Sequence, residues 1–358
     1  MKNIKKIFVI NPGSTSTKIG LYTNTESIFQ KNIHHSSEEL SLFNHINEQF
    51  DFRKKIILDE LKNNQIELDQ IDAIIGRGGI LKPMPSGIYR INEKMIFDIN
   101  HSTLEHASNL GILLAYELST LSGNSENAFM ADPPCVDEMS DLARTTGIPD
   151  ISRISLFHAL NQRAVAFRYA QSIHAKYQDI NLIVAHLGGG ISIGAHQKGK
   201  VIDVNNALNG DGPFTPERAG SIPAGQLVEL CFSEKFSREE ILHKLTGKGG
   251  LTAYLGTNDF KEVKKMIDSG NKKALHLYQT MAYQIAKEIG AMATVLSGIV
   301  DGIILTGGLA FDKDFTELIS EQIKFIAPII IYPGENEMDA LALNCLNALN
   351  GELEIKEF

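Results

Sequence analysis

Cysteine is scarce. Cys135, Cys231 and Cys345 stand far apart in a chain of 358 residues, with no C-x-x-C pair among them. That spacing argues against a disulfide framework or a thiolate zinc site and fits free thiols in a reducing compartment. Long apolar runs are missing too. The start of the chain carries Lys2, Lys5 and Lys6, but the run Ile7-Phe-Val-Ile10 stops at Asn11-Pro12-Gly13, too short for the core of a signal peptide. Nothing approaches the ~20 apolar residues of a membrane span. A soluble, cytoplasmic protein with no membrane partner is expected. Nor is there a dense block of lysine and arginine: 34 basic against 43 acidic side chains leave a net charge of −9. A nucleic-acid partner would need a concentrated positive face, so none is expected. An anionic substrate would have to be held by a few placed cations.

Two familiar nucleotide signatures are also absent. Neither Gly-Lys pair (199–200, 247–248) is followed by Ser or Thr, and no G-x-G-x-x-G follows a strand-like run. A nucleotide, if bound, is bound by another scheme.

What the chain does contain is apolar material for two cores, 43% of its residues, over about twice the ~150-residue unit of one domain. Short apolar runs alternate with helix-like stretches, which indicates an α/β class. One plan occurs twice. Ile7–Ile10 leads through Asn11-Pro-Gly-Ser-Thr-Ser-Thr17 into Lys18-Ile-Gly-Leu-Tyr22. Leu182–Ala185 leads through His186-Leu-Gly-Gly-Gly190 into Ile191-Ser-Ile-Gly194. Further on, Ile71-Asp-Ala-Ile-Ile-Gly-Arg-Gly-Gly79 matches Val300-Asp-Gly-Ile-Ile-Leu-Thr-Gly-Gly308 at five of nine positions. Each follows a helix-like stretch, 54–68 and 274–296. The pattern fits either chance likeness between buried strands or a duplicated α/β domain with an interdomain cleft; duplication is the better account. Helices are expected over 101–121, 158–177 and 336–349. The boundary is expected at Pro149-Asp150, giving a first lobe of 1–150 plus 336–358 and a second of 151–335.

Polar turns after buried strands place N–H groups and hydroxyls at the carboxyl edge of a sheet, where α/β proteins bind ligands. Four occur, at 11–18, 77–79, 186–190 and 306–308. The turn from Asn11 to Lys18 offers an amide, hydroxyls and an ammonium, yet reads equally as a hairpin rich in turn formers. His186 ends an apolar strand before three glycines; it is a core histidine or a ligand contact. Arg77 closes a buried strand between glycines, where a guanidinium fork suits carboxylate or phosphate. Arg218 in Thr215-Pro-Glu-Arg-Ala-Gly-Ser-Ile-Pro223 reads, alone, as a surface ion-pair residue. Asp132 follows Ala128-Phe-Met-Ala131, and Glu337 opens a helix, where it complements the helix dipole. Two such carboxylates, if they converge, suit Mg²⁺.

Taken in order, these segments resemble the acetate kinase-like carboxylate kinases of the sugar kinase, heat-shock ATPase and actin superfamily, on the side of the butyrate and branched-chain fatty acid kinases. The resemblance rests on 11–18, Gly76-Arg-Gly-Gly-Ile-Leu-Lys-Pro83, Asp132-Pro-Pro-Cys-Val-Asp-Glu-Met139, Leu156-Phe-His158, 186–190, 216–223, 306–308 and Pro333-Gly-Glu-Asn-Glu337. It implies duplicated ribonuclease H-like (actin-like ATPase) domains and reversible transfer of the ATP γ-phosphoryl group to a short or branched-chain fatty acid, giving an acyl phosphate and ADP. It also implies Mg²⁺ and a homodimer. By the same resemblance Asn11, Ser14, Ser16 and Lys18 form one phosphate turn, and His186 with Gly188, Gly189 and Gly190 the other. Arg77 and Arg218 hold the carboxylate and the moving phosphoryl group, His158 donates to its oxygens, and Asp132 and Glu337 position Mg²⁺. Thr306, Gly307 and Gly308 lie against the adenosine, with Thr257, Asn258 and Asp259 near the base. Phe157 matches an apolar pocket position, and Gly78-Gly79, standing where acetate kinases have Val-Val, is expected to leave room for a longer acid. Acetate or propionate as acceptor, a non-kinase ATPase and a sugar kinase are the competing readings.

Overall fold

The computed structural model describes residues 4–102, 106–208 and 211–358. The chain divides into two compact units, Met1–Val136 with Asn336–Phe358, and Asp137–Glu335. In the first, β1 (Lys6–Pro12), β2 (Ser16–Thr23) and β3 (Glu26–His34) form an antiparallel meander. Helix α1 (Phe50–Asn63) precedes β4 (Ala73–Arg77), which lies parallel to β1. After β5 (Ile88–Arg90), α2 (Glu93–Asn100) and α3 (Asn109–Leu121), β6 (Ala128–Ala131) pairs parallel to β4. The helix expected over 101–121 therefore begins only at Asn109; residues 103–105 of that expectation lie outside the described residues.

The second unit repeats the plan. Helix α4 (Ala159–Ser172) leads to the meander β7 (Asn181–Leu187), β8 (Ile191–Gln197) and β9 (Lys200–Val204). Helix α5 (Lys272–Val295) precedes β10 (Gly302–Gly307), parallel to β7, and α6 (Lys313–Ile323) precedes β11 (Ile329–Pro333), parallel to β10. Helix α7 (Glu337–Leu349) and β12 (Ile355–Lys356) belong to the first unit, where β12 pairs with β5. The sheet orders are β12-β5-β6-β4-β1-β2-β3 and β11-β10-β7-β8-β9, so the run β6-β4-β1-β2-β3 has the same topology as β11-β10-β7-β8-β9. The repeat read from the sequence is a structural repeat. Residues 137–150, expected with the first lobe, instead hold to the second. Glu138 Oε2 accepts the Val201 N–H at 3.1 Å, and the Ser140 N–H donates to the Ile202 carbonyl at 2.9 Å.

Strands covered on both faces need apolar side chains at every position, which is why they read as continuous runs. In β7, Ile183 and Ala185 face the core built on α5, with Met281, Ile285 and Ile289. Leu182 and Val184 face the core built on α4, with Val165 and Tyr169. The strand alternation then sends His186 to the α4 side. In the first unit, α3 and α7 both pack on β1, β4 and β6, so the end of each strand is fixed from both sides.

One close approach sets the position of Arg77. A Cβ at Gly76 would meet the Gly111 carbonyl oxygen at 2.0 Å, and one at Gly111 would meet the Arg77 carbonyl oxygen at 2.3 Å. Strand β4 and helix α3 touch backbone to backbone, and no side chain fits at either point. Gly111→Ala, normally favourable inside a helix, is therefore expected to destabilise the protein by about 2 kcal/mol or more through overpacking. Gly290→Ala in α5, with nothing near its Cβ direction, should be neutral or stabilising. Urea midpoints check both; equal midpoints for the two variants contradict the account.

Candidate active site

At the carboxyl edge of the first sheet, the parallel register pairs Ile10 with Gly76, so the next residues, Asn11 and Arg77, emerge side by side. Glu337 enters from the first turn of α7, just after Asn336 in the left-handed region at φ 45°. It is buried. Its Oε2 accepts from Asn11 Nδ2 at 2.8 Å and its Oε1 lies 3.1 Å from Arg77 Nη2. The Asn11 amide is thereby oriented, with its Oδ1 turned to Arg77 Nη1 at 3.5 Å. Asp132, also buried, holds a positive φ of 40°, uncommon for a residue with a side chain. Its Oδ1 accepts the Gly87 N–H at 2.8 Å. Such strain persists where the surroundings over-determine it, often at functional positions.

The turn at 13–17 is held from behind by a residue the sequence reading missed. Arg53 on α1 is completely buried. Its guanidinium donates to the carbonyls of Gly13 (2.8 Å), Ser16 (3.0 Å) and Ser14 (3.2 Å), to Thr17 Oγ1 (3.1 Å) and to Gln49 Oε1 (2.8 Å). Burial lowers its pKa to about 10, so it remains a cation at neutral pH, and all five of these acceptors are uncharged. A trans peptide turns each N–H opposite to the preceding carbonyl. Carbonyls drawn to Arg53 therefore direct the Ser14 and Thr15 N–H groups outward, and among the described residues these two donate to no protein acceptor. Ser14 and Lys18 are exposed and Ser16 is half-buried. His35 Nε2 lies 2.8 Å from Thr17 Oγ1, and burial lowers the His35 pKa to about 4, so the ring is neutral there. The signal for Arg53 was in the sequence: it shares the buried stripe of α1 with Ile57 and Leu61 at helical spacing.

In the second unit, the His186 ring stacks on His158 with centroids 3.8 Å apart and planes 9° apart. His186 Nδ1 lies 2.7 Å from Asn161 Oδ1, and His158 Nδ1 lies 2.9 Å from Ser192 Oγ. Thr306 sits opposite His186 in the β7–β10 register, its hydroxyl donating to the Gly334 carbonyl at 3.0 Å. Gly307 takes a positive φ of 89°, which a side chain would resist; Gly308 has open space beside it. Arg218 lies across the glycine turn: a Cβ on Gly190 would come within 2.2 Å of its Nη1. Among the described residues its Nε is buried without a hydrogen-bond partner, and Glu217 Oε1 stands 3.9 Å from its Nη2. Desolvation lowers the Arg218 pKa, opposed by Glu217. Asn258 reaches Glu217 Oε2 at 3.3 Å, whereas Thr257 bonds to Glu262 and Asp259 caps the following helix through the Lys261 N–H.

One expectation about the acid pocket needs correction. A Cβ at Gly78 would meet Pro133 Cβ at 2.6 Å, and one at Gly79 would meet Asn109 Oδ1 at 2.6 Å. The missing side chains make way for protein, not for a longer acid. Phe157 is buried directly before His158. As to a divalent cation, no group of three His, Cys, Asp or Glu side chains stands together among the described residues. Asp132 and Glu337 are both buried carboxylates, the donor type that a hard ion such as Mg²⁺ takes together with phosphate oxygens.

Three comparisons bear on this arrangement. A model described as the acetokinase family matches residues 151–328. The chain is 52% identical to Butyrate kinase 2 of Clostridium acetobutylicum over 354 residues, 99% of each chain. Its fold is similar to an acetate kinase from Porphyromonas gingivalis (TM-score 0.80, 20% identity, 96% of this chain and 100% of that one). It is also similar to a propionate kinase from Francisella tularensis (TM-score 0.76, 19% identity, 95% and 98%). No helix among the described residues is long and apolar enough to cross a membrane.

Replacing Arg53 removes a buried cation from several carbonyls at once. Arg53→Met is expected to cost about 3–5 kcal/mol, the usual scale for breaking a buried charged network. Chemical denaturation reads this directly; a loss below 1 kcal/mol would show that the turn stands without it.

Proposed function

The chain belongs to the acetokinase family, and on that footing we propose that it is a carboxylate kinase. It would transfer the γ-phosphoryl group of ATP reversibly to butyrate or a similar short or branched-chain fatty acid, giving an acyl phosphate and ADP. The observation that carries the chemistry is Arg218, a buried guanidinium beside a glycine turn whose Nε has no acceptor among the described residues. A buried donor left open in this way is explained by an anionic ligand. The acceptor acid is suggested by the relative named Butyrate kinase 2 and not by the glycine pair at 78–79.

A fatty acid is ionised at neutral pH, so attack on phosphorus needs no general base. It needs two anions brought together, aligned and neutralised. Arg77 and Arg218 would offset their repulsion and the charge gathering on the equatorial oxygens. Outward N–H groups at Ser14 and Thr15, with Lys18 nearby in sequence, suit phosphate oxygens, as does the turn after His186. His158 would donate to the moving phosphoryl group. Asp132 and Glu337 are the residues that would hold Mg²⁺, whose chemistry is to neutralise phosphate charge. Glu337 would also keep Arg77 and Asn11 in place.

Hydroxylamine trapping across C2 to C6 acids tests the reading. A hydroxamate is expected, with kcat/KM for butyrate at least about tenfold above that for acetate, in keeping with the 1–3 kcal/mol that one methylene contributes in an apolar pocket. ATP hydrolysis without hydroxamate would contradict it, and acetate preferred over butyrate would overturn the acid assignment. Arg77→Ala and Arg218→Ala should each lower kcat by on the order of 10²–10³-fold, with ADP affinity changed less than about threefold. An equal loss of ADP binding would contradict the roles given to them.

A further inference from the structure

The hydrogen bonds around the two stacked histidines can be balanced donor by donor. Gln162, Ser192 and His196 have no exposed surface. Gln162 Nε2 lies 3.0 Å from the Ser192 carbonyl, which can only accept, so that end of the side chain is the NH₂ group. Gln162 Oε1 therefore faces His196 Nε2 at 2.9 Å, and His196 must donate from Nε2. Burial lowers the His196 pKa to about 3. As a neutral ring it then carries no proton on Nδ1, which accepts the Tyr177 hydroxyl at 2.7 Å. The second Gln162 N–H goes to Ser192 Oγ at 2.8 Å. Among the described residues two other groups reach Ser192 Oγ: the His158 backbone N–H at 3.4 Å, itself a donor, and His158 Nδ1 at 2.9 Å. The hydroxyl proton thus points to His158 Nδ1.

The same balance for the other ring gives the opposite answer. Asn161 Nδ2 donates to the Glu335 carbonyl at 2.6 Å. Its Oδ1 therefore faces His186 Nδ1 at 2.7 Å and accepts a proton from it.

We infer that the adjacent residues Asn161 and Gln162 lock the stacked pair in opposite tautomers: His158 carries its proton on Nε2 and His186 on Nδ1. Asn161, Gln162 and Ser192 are positioning residues. In this tautomer the His158 N–H stands at Nε2, on the far side of the ring from Ser192. His186 donates from Nε2 only as an imidazolium; the Glu335 Oε1 atom stands 3.9 Å from that nitrogen. The catalytic value of this division rests on the carboxylate kinase reading, in which His158 donates to the moving phosphoryl group; the tautomers themselves do not.

Long-range ¹⁵N–¹H correlation spectra of the full-length, ¹⁵N-histidine-labelled protein at about pH 8, where imidazoles are mostly neutral, read both tautomers. His158→Gln and His186→Gln assign the signals. The wild type should show His158 protonated on Nε2 and His186 on Nδ1. In Ser192→Ala, His158 should become an exchanging mixture while His186 is unchanged, and Asn161→Leu should disturb His186 alone. In Gln162→Glu the carboxylate would take the Ser192 proton and swing His158 to the Nδ1 form; should that variant not fold, the wild-type and Ser192→Ala spectra decide. A wild-type His158 protonated on Nδ1, or averaged between forms, overturns the inference. Ser192→Ala should also lower kcat by on the order of 10²-fold with ADP affinity within about threefold. The expected tautomers without hydroxamate formation would remove the function and leave the inference standing. Hydroxamate formation with His158 protonated on Nδ1 would do the reverse.

Discussion

The strand-edge turns of this protein depend on hydrogen-bond donors that the protein itself does not claim. Buried polar groups normally find partners inside the fold. Here the Arg53 cation is solvated by the turn's carbonyls, which leaves the Ser14 and Thr15 N–H groups directed outward. Arg218 keeps a buried Nε without an acceptor among the described residues. A chain with a net charge of −9 must attract anions locally, and a few desolvated donors at low dielectric do this better than a diffuse basic surface. Arg77 is the exception that needs its partner: Glu337, fixed by the start of α7 and by Asn11, holds the guanidinium in place at 3.1 Å.

Duplication explains how one backbone plan supplies both sets of turns. Strand β1 aligns with β7 and β4 with β10, so Asn11 and His186 occupy matching strand ends, as do Arg77 and Thr306. Each unit then departs from the plan in its own way. The first uses a buried arginine and an acid at a helix start. The second uses stacked imidazoles and an arginine laid over a glycine. The repeated architecture fixes where the donors sit, and the residue types at matching places decide what they can bind.

Most of the architecture could be read from the sequence because strands buried on both faces and amphipathic helices leave local patterns. The polar turns at 11–18, 77–79, 186–190 and 306–308 fall at the ends of the strands, where they were expected. What the sequence did not disclose lies in contacts between distant segments. The link from Gln162 to Ser192 joins a helix to a strand thirty residues on, with no local pattern to announce it. Gly78 and Gly79 were legible as glycines but not in their purpose, since only Pro133 and Asn109 reveal what fills the space. Arg53 was a different miss: its helical spacing marked it as buried, and a charged residue at a core position is a hint worth following. The boundary at 136–137 was hidden because Glu138 and Ser140 are held by the distant Val201 and Ile202.

The central claim is that the open donor on Arg218 belongs to a ligand. The most direct measurement is a crystal structure of the chain grown with a non-hydrolysable ATP analogue and butyrate, read at Arg218 Nε. The account predicts a ligand oxygen within ~3.2 Å of that nitrogen. Nucleotide and acid both bound elsewhere, with Arg218 Nε turned to a protein acceptor, would contradict it.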